Sequence, residues 1–215
     1  MDLVIFDLDG TLIDSKLDLA HAVNATRAHM GLPPLEFELI YSYVGNGAPV
    51  LIRRALGPEA SEQDVEQALE YFLAYYREHM LDYTVLYPGV REGLQKLDNG
   101  KRRLAVLTNK PVRISVAIID GLGIGAHFFR VYGGNSFEQK KPHPIGVETL
   151  LRESGARKES TLMVGDSAVD IRTARNAGIS CCGVTWGFQP ESLADDPPDF
   201  VVERMDQLLA ALQLS

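Results

Sequence analysis

Unbroken apolar runs recur along the chain at Leu3 to Phe6, Leu104 to Leu107, Phe129 to Tyr132, Thr161 to Val164 and Ser180 to Thr185, with a weaker one at Asp199 to Glu203. Runs of this kind, continuous rather than alternating, suit strands covered on both faces. From residue 85 onward they alternate with helical patterns at 90–100, 112–123, 145–155, 169–178 and 205–214. Strands divided by helices predict an α/β fold: a Rossmann-like parallel sheet with helices on both faces. Gly100, Gly155 and Gly178 stand where three of these helices should end in a glycine cap.

Residues 15 to 84 break the rhythm. Segments 16–31 and 48–57 read as helices, and a third opens at Ser61 with Asp64 three residues on, a capping-box pattern. That third segment places Val65, Leu69, Phe72, Tyr76 and Met80 on one face. The aromatic stripe of Tyr71, Phe72, Tyr75 and Tyr76 is read as internal packing rather than a ligand box. The expected organisation is an α/β core built from 1–14 and 85–215, with a small all-helical domain, 15–84, inserted after the first strand.

Composition narrows the setting. The 215 residues carry a net charge of −8, which disfavours nucleic acid as a partner because a phosphate backbone calls for a basic face. Apolar stretches stay well short of a membrane span, and the first strand begins too early for a signal peptide, so a cytoplasmic protein with no membrane partner is expected. A monomer or a homodimer is equally compatible. The two cysteines, Cys181 and Cys182, are adjacent and read as small apolar fillers of a strand.

Candidate chemistry lies where the strands end. In an open parallel sheet, ligands bind beyond the carboxyl ends of the strands. The first run ends in Asp7-Leu8-Asp9-Gly10-Thr11, the second in Thr108-Asn109-Lys110, and a later one in Gly165-Asp166-Ser167, with Asp170 following. Carboxylates gathered at one edge repel unless a cation or shared proton compensates them. With no His or Cys among them, they suit a hard oxygen-liking ion, Mg²⁺ before others. A second cation is available in QKKPHP, where Lys141 is the candidate and Lys140 its competitor, while His143 is read as loop surface.

A DxDGT strand end, a Thr-Asn strand end, a Lys-Pro loop and GDSxxD, in that order, resemble the haloacid dehalogenase superfamily phosphatases, in particular the subclass with a four-helix cap inserted after the first motif. Finer resemblance, to the phosphoglycolate phosphatases, rests on Val44-Gly45-Asn46-Gly47-Ala48, Tyr87-Pro88-Gly89-Val90, LTNKP at 107–111, KKPHP at 140–144 and VGDSAVDIRTARNAG at 164–178. The resemblance implies that Asp7 is the nucleophile forming an aspartyl-phosphate and Asp9 the general acid and base. It further implies that Asp7, Asp166 and the Asp9 backbone carbonyl hold Mg²⁺, while Thr108, Asn109 and Lys141 hold the phosphoryl oxygens. Asp170 would orient Lys141 or a metal-bound water, and Gly10 and Thr11 would support the loop. Gly45, Asn46 and Arg53 of the helical insert are candidates for substrate specificity, with 2-phosphoglycolate the leading small phosphorylated metabolite. Phosphatases or phosphomutases for pyrophosphate or sugar phosphates share several of these motifs, and a non-catalytic phospho-acceptor switch would use some of them too.

Overall fold

The structure, a computed structural model, describes residues 1–98 and 102–213. The chain starts with β1 (Leu3–Phe6) and the two-residue strand β2 (Ile13–Asp14). Four helices follow: α1 (Lys16–His29), α2 (Phe37–Tyr41), α3 (Ala48–Leu56) and α4 (Glu62–His79). Then come β3 (Val85–Leu86), α5 (Val90–Leu97), β4 (Arg103–Leu107), α6 (Val112–Gly121) and β5 (Phe128–Tyr132). The last part contains α7 (Ile145–Ser154), β6 (Thr161–Gly165), α8 (Ala168–Ala177), β7 (Ser180–Val184), β8 (Phe200–Val202) and α9 (Met205–Gln213).

Six strands form one parallel sheet in the order β5-β4-β1-β6-β7-β8. Each apolar run read from the sequence is one of them, and the physical reason is visible at β1. Leu3, Val4, Ile5 and Phe6 are all buried, because helices cover both faces of an inner strand. Burying side chains of this size contributes roughly 1.5–3 kcal/mol each. Cys181 and Cys182 are buried free thiols of β7. Gly155 and Gly178 cap α7 and α8 in the left-handed conformation. Gly100 lies outside the described residues, and the cap of α5 is Asp98.

The chain divides into two compact units, one made of Met1–Asp14 with the chain from Leu86 onward, the other of Ser15–Val85. In the second, α4 packs on α1 and α3. The predicted capping box is present: the Asp64 backbone N–H donates to the Ser61 hydroxyl, and the Ser61 N–H donates back to the Asp64 carboxylate. The buried face of α4 is Val65, Ala68, Phe72 and Tyr76, with Leu69 half-buried beside it. A strict i+4 stripe drifts around a helix of 3.6 residues per turn, so small Ala68 takes the inner position expected for Leu69. Phe72 and Tyr76 stack at 5.6 Å between centroids, and Tyr71 stacks on His29 at 4.0 Å, so the aromatic stripe is largely spent on packing. α2 was not legible, since a five-residue turn carries too little periodicity to register. Among the described residues no helix is long and apolar enough to cross a membrane.

Candidate active site

From β1 the sheet grows outward through β4 to β5, then resumes on the other side of β1 with β6, β7 and β8. Such a reversal opens a crevice at the carboxyl ends of the central strands. Phe6 is in register with Val106 of β4 and Val164 of β6, so the residues following all three strands emerge together. This juxtaposition brings Asp7 and Asp9, Thr108 and Asn109, and Asp166 and Asp170 to one edge.

Carboxylate oxygens of Asp7, Asp166 and Asp170 lie within 4.8 Å of one another, and all three residues are buried. Their charge is met from the Lys-Pro loop. Lys141 Nζ donates to Asp170 Oδ1 at 2.6 Å and lies 2.9 Å from Asp7 Oδ1. The second contact is an ion pair by distance but off the line of a hydrogen bond, and Asp7 Oδ1 is a buried oxygen with no hydrogen-bond partner. Lys140 is exposed, Lys141 buried, so only the latter ammonium enters the cluster. Pairing with Asp170 and Asp7 raises the Lys141 pKa despite the opposing effect of burial. His143 accepts from the Ile145 N–H at the start of α7, a local turn contact.

Electrostatics at the edge favours protons or a cation. Burial, with repulsion from Asp170 and Asp7, pushes the Asp166 carboxyl up to about 8. Burial outweighs Lys141 at Asp7 and raises that carboxyl to about 6. Asp170 has a different set of contacts. Its Oδ2 accepts from the Ser167 hydroxyl at 2.7 Å and the Ser167 N–H at 3.2 Å, while Oδ1 holds Lys141. It therefore braces the first turn of α8 and the lysine together. A Cβ on Gly165 would lie 2.2 Å from Asp170 Cγ, so only glycine ends β6 without displacing it.

Asp166 is enclosed from two sides. Gly10, at φ +82, turns the backbone beneath it, and a Cβ there would lie 2.3 Å from Asp166 Oδ2. Thr11 Oγ1 donates a long 3.4 Å bond to Asp166 Oδ1. From the other side the loop after β7 covers it: the Phe188 N–H donates to Asp166 Oδ2 at 2.7 Å, and Trp186 Nε1 donates to the Thr11 carbonyl at 3.1 Å. A Cβ on Gly187 would lie 2.2 Å from Asp166 Cβ. The segment Trp186-Gly187-Phe188 is thus part of the site, and sequence reasoning missed it. The available signal was a Gly-aromatic turn at the carboxyl end of a further parallel strand.

A second omission is Lys110. Its buried ammonium donates to both carboxylate oxygens of Asp9, at 2.9 and 3.1 Å. Thr108 is buried and its Oγ1 accepts from the Lys110 N–H at 3.3 Å. Asn109 Nδ2 donates to the Lys141 carbonyl at 3.1 Å, so one amide hydrogen steadies the Lys-Pro loop where phosphate contact was expected of the group. The remaining candidates belong to the helical unit. Gly47 caps α3, so the 45–47 turn with Gly45 and Asn46 has a helix-start role there, and Arg53 is half-exposed and ion-paired with Glu62.

The donor set fits a divalent cation. Four carboxylates (Asp7, Asp9, Asp166, Asp170) face two ammonium groups (Lys110, Lys141), an excess of two negative charges when all are ionised. Oxygen donors alone suit a hard divalent cation.

Known proteins share this fold. Residues 4–184 match the family model of the haloacid dehalogenase-like hydrolases. The chain therefore belongs to the haloacid dehalogenase-like hydrolases and is an enzyme of the phosphatase kind. It is 40% identical to a phosphoglycolate phosphatase of Vibrio vulnificus CMCP6, over 99% of this chain and 96% of that one. It is 41% identical to a phosphoglycolate phosphatase of Pseudomonas fluorescens Pf0-1, over 96% and 78% respectively. A crystal structure from Haemophilus somnus, described as a predicted phosphoglycolate phosphatase, superposes with a TM-score of 0.93 at 34% identity, covering 99% of this chain and 98% of that one.

Proposed function

We propose that the protein is a Mg²⁺-dependent phosphomonoester hydrolase that works through an aspartyl-phosphate on Asp7, with 2-phosphoglycolate as its substrate. The observation that carries this reading is the buried group of Asp7, Asp166, Asp170 and Lys141, gathered at the carboxyl edge with two negative charges in excess. The names of the relatives support the choice of ester.

Asp7 attacks phosphorus, forming a P–O bond to its carboxylate as the bond to the ester oxygen breaks. Asp9 protonates the departing alkoxide, then takes a proton from the water that attacks the aspartyl-phosphate. The P–O bond to Asp7 breaks in that second step, releasing inorganic phosphate and restoring the carboxylate. Thr108, the second amide hydrogen of Asn109 and the Lys141 ammonium receive the charge that builds on the phosphoryl oxygens. Asp7 and Asp166, with the Asp9 backbone carbonyl, would hold Mg²⁺, which when bound neutralises phosphoryl charge. Asp170 stays with Lys141 and Ser167 as a brace. Two aspartates are needed because a metal-bound carboxylate carries protons poorly, so attack and proton transfer fall to separate groups. The helical insert takes the family's cap role in this proposal, with Gly45, Asn46 and Arg53 as candidates for reading the ester.

The test is phosphate release across a panel of small phosphate esters and pyrophosphate, with Mg²⁺ and with EDTA. Mg²⁺-dependent release from 2-phosphoglycolate well above the other compounds is expected, and Asp9→Asn should lose about 10²–10⁴-fold. Release unaffected by EDTA, or full activity of Asp7→Asn, overturns the mechanism. A different preferred ester overturns the substrate alone.

A further inference from the structure

We infer that Lys110 is a positioning residue for Asp9, fixing the direction of the carboxylate that takes the proton from the attacking water. The inference rests on the mechanism proposed above and adds a residue to it.

Three features of the structure support it. Lys110 Nζ contacts both Asp9 oxygens, at 2.9 and 3.1 Å, so it straddles the carboxylate and opposes its rotation about the Cβ–Cγ bond. The lysine is itself firmly rooted. Its carbonyl accepts from the Gly134 N–H at 2.9 Å, its own N–H donates to Thr108 Oγ1, and the Val112 N–H two residues on donates to Asn135 Oδ1 at 2.9 Å. The approach of this neighbouring backbone is so close that a Cβ on Gly133 would lie 2.5 Å from the Lys110 carbonyl oxygen. Finally, two buried ammonium groups among the described residues are divided between the aspartates, Lys141 against Asp7 and Asp170, and Lys110 against Asp9.

Stability alone is a poor reason for this arrangement. Desolvating two charges consumes most of what their attraction returns, and an apolar pair of similar volume often folds as well. Proton transfer, by contrast, depends steeply on where the base points, and misplacement by about 1 Å is able to cost on the order of 10²-fold.

The experiment compares Lys110→Met, Lys110→Gln and Lys110→Arg in the wild-type and Asp9→Ala backgrounds, using the most rapidly hydrolysed ester of the panel with Mg²⁺ present. With Asp9 intact, Lys110→Met should lower kcat about 10–100-fold, the range for residues that orient a reacting group, with KM changing less than about threefold. Lys110→Arg should recover part of the loss, and acid-quenched Lys110→Met should retain more aspartyl-phosphate at steady state. In the Asp9→Ala background the same substitution should cost less than about twofold, because the group it acts through is gone. Thermal melts identify the variants that fold, and Lys110→Gln replaces Lys110→Met should the latter fail. An unchanged kcat overturns the inference, as does a rise in KM at constant kcat, an equal loss in both backgrounds, or loss of the fold in all three variants. If wild-type protein releases no phosphate, or Asp9→Ala is fully active, it is the mechanism that fails.

Discussion

Lys141 donates to Asp170 at 2.6 Å while standing 2.9 Å from Asp7, so one ammonium joins the Lys-Pro loop to the end of β1 and the first turn of α8. Removing it would leave Asp7, Asp166 and Asp170 facing each other without that ammonium between them. Lys141→Met is expected to destabilise the protein by about 3–5 kcal/mol, the cost of breaking a buried ion pair from one side. Activity should fall by at least about 10²-fold through lost charge stabilisation. Mg²⁺ should restore part of the stability and little of the activity. Denaturant melts with and without the ion, beside phosphate-release kinetics, check this.

Asp7→Asn separates chemistry from folding. The amide is close in shape and removes one of three crowded carboxylates, so stability should stay within about 1 kcal/mol of wild type. Turnover should vanish, since an amide cannot form the proposed aspartyl-phosphate. Melting curves and phosphate release read the two effects independently.

The metal-free protein should lose stability as pH rises. Asp7 and Asp166 are raised from 3.8 to about 6 and about 8, so the folded chain holds more protons than the unfolded one between those values. The stabilising contribution is complete below about pH 4 and is lost as pH climbs through about 8. Mg²⁺ needs the ionised groups, so its effect has the opposite slope. Melting temperature in EDTA should fall from pH 5 to pH 8.5, and added Mg²⁺ should raise it strongly at pH 8 and little at pH 5. A flat profile in EDTA contradicts the assignment.

Gly10→Ala tests how closely the backbone must approach Asp166. At φ +82 an L side chain is strained, and its Cβ would lie 2.3 Å from Asp166 Oδ2. The expected cost is about 1–3 kcal/mol in stability. Displacing a proposed metal ligand should also weaken Mg²⁺ activation about 10–100-fold. A Mg²⁺ titration of activity measures the second effect, and wild-type activation would show that Asp166 tolerates the shift.

Much of this molecule was legible in the chain. Continuous apolar runs such as Leu3–Phe6 have few alternatives to a doubly covered strand, and the acidic residues after them fall at one sheet edge by topology alone. The division between Lys140 and Lys141 was beyond reach, because adjacent residues of a loop carry no periodicity to say which is buried. Lys110 and the Trp186–Phe188 turn were visible as residue types, but their significance depends on contacts 101 and 22 residues away in sequence. Asn109 was read as a phosphate donor from its place after a strand, and its further contact with the Lys141 carbonyl was not legible because it depends on a loop 32 residues distant.

What the residues alone determined was the class of fold and the chemistry at its edge, since hydrophobic periodicity and the crowding of like charges are properties of short stretches. The tertiary structure decided which cation faces which carboxylate: Lys141 meets Asp7 and Asp170, and Lys110 meets Asp9. Coulomb energy falls off with distance and depends on burial, and the placement of distant loops sets both.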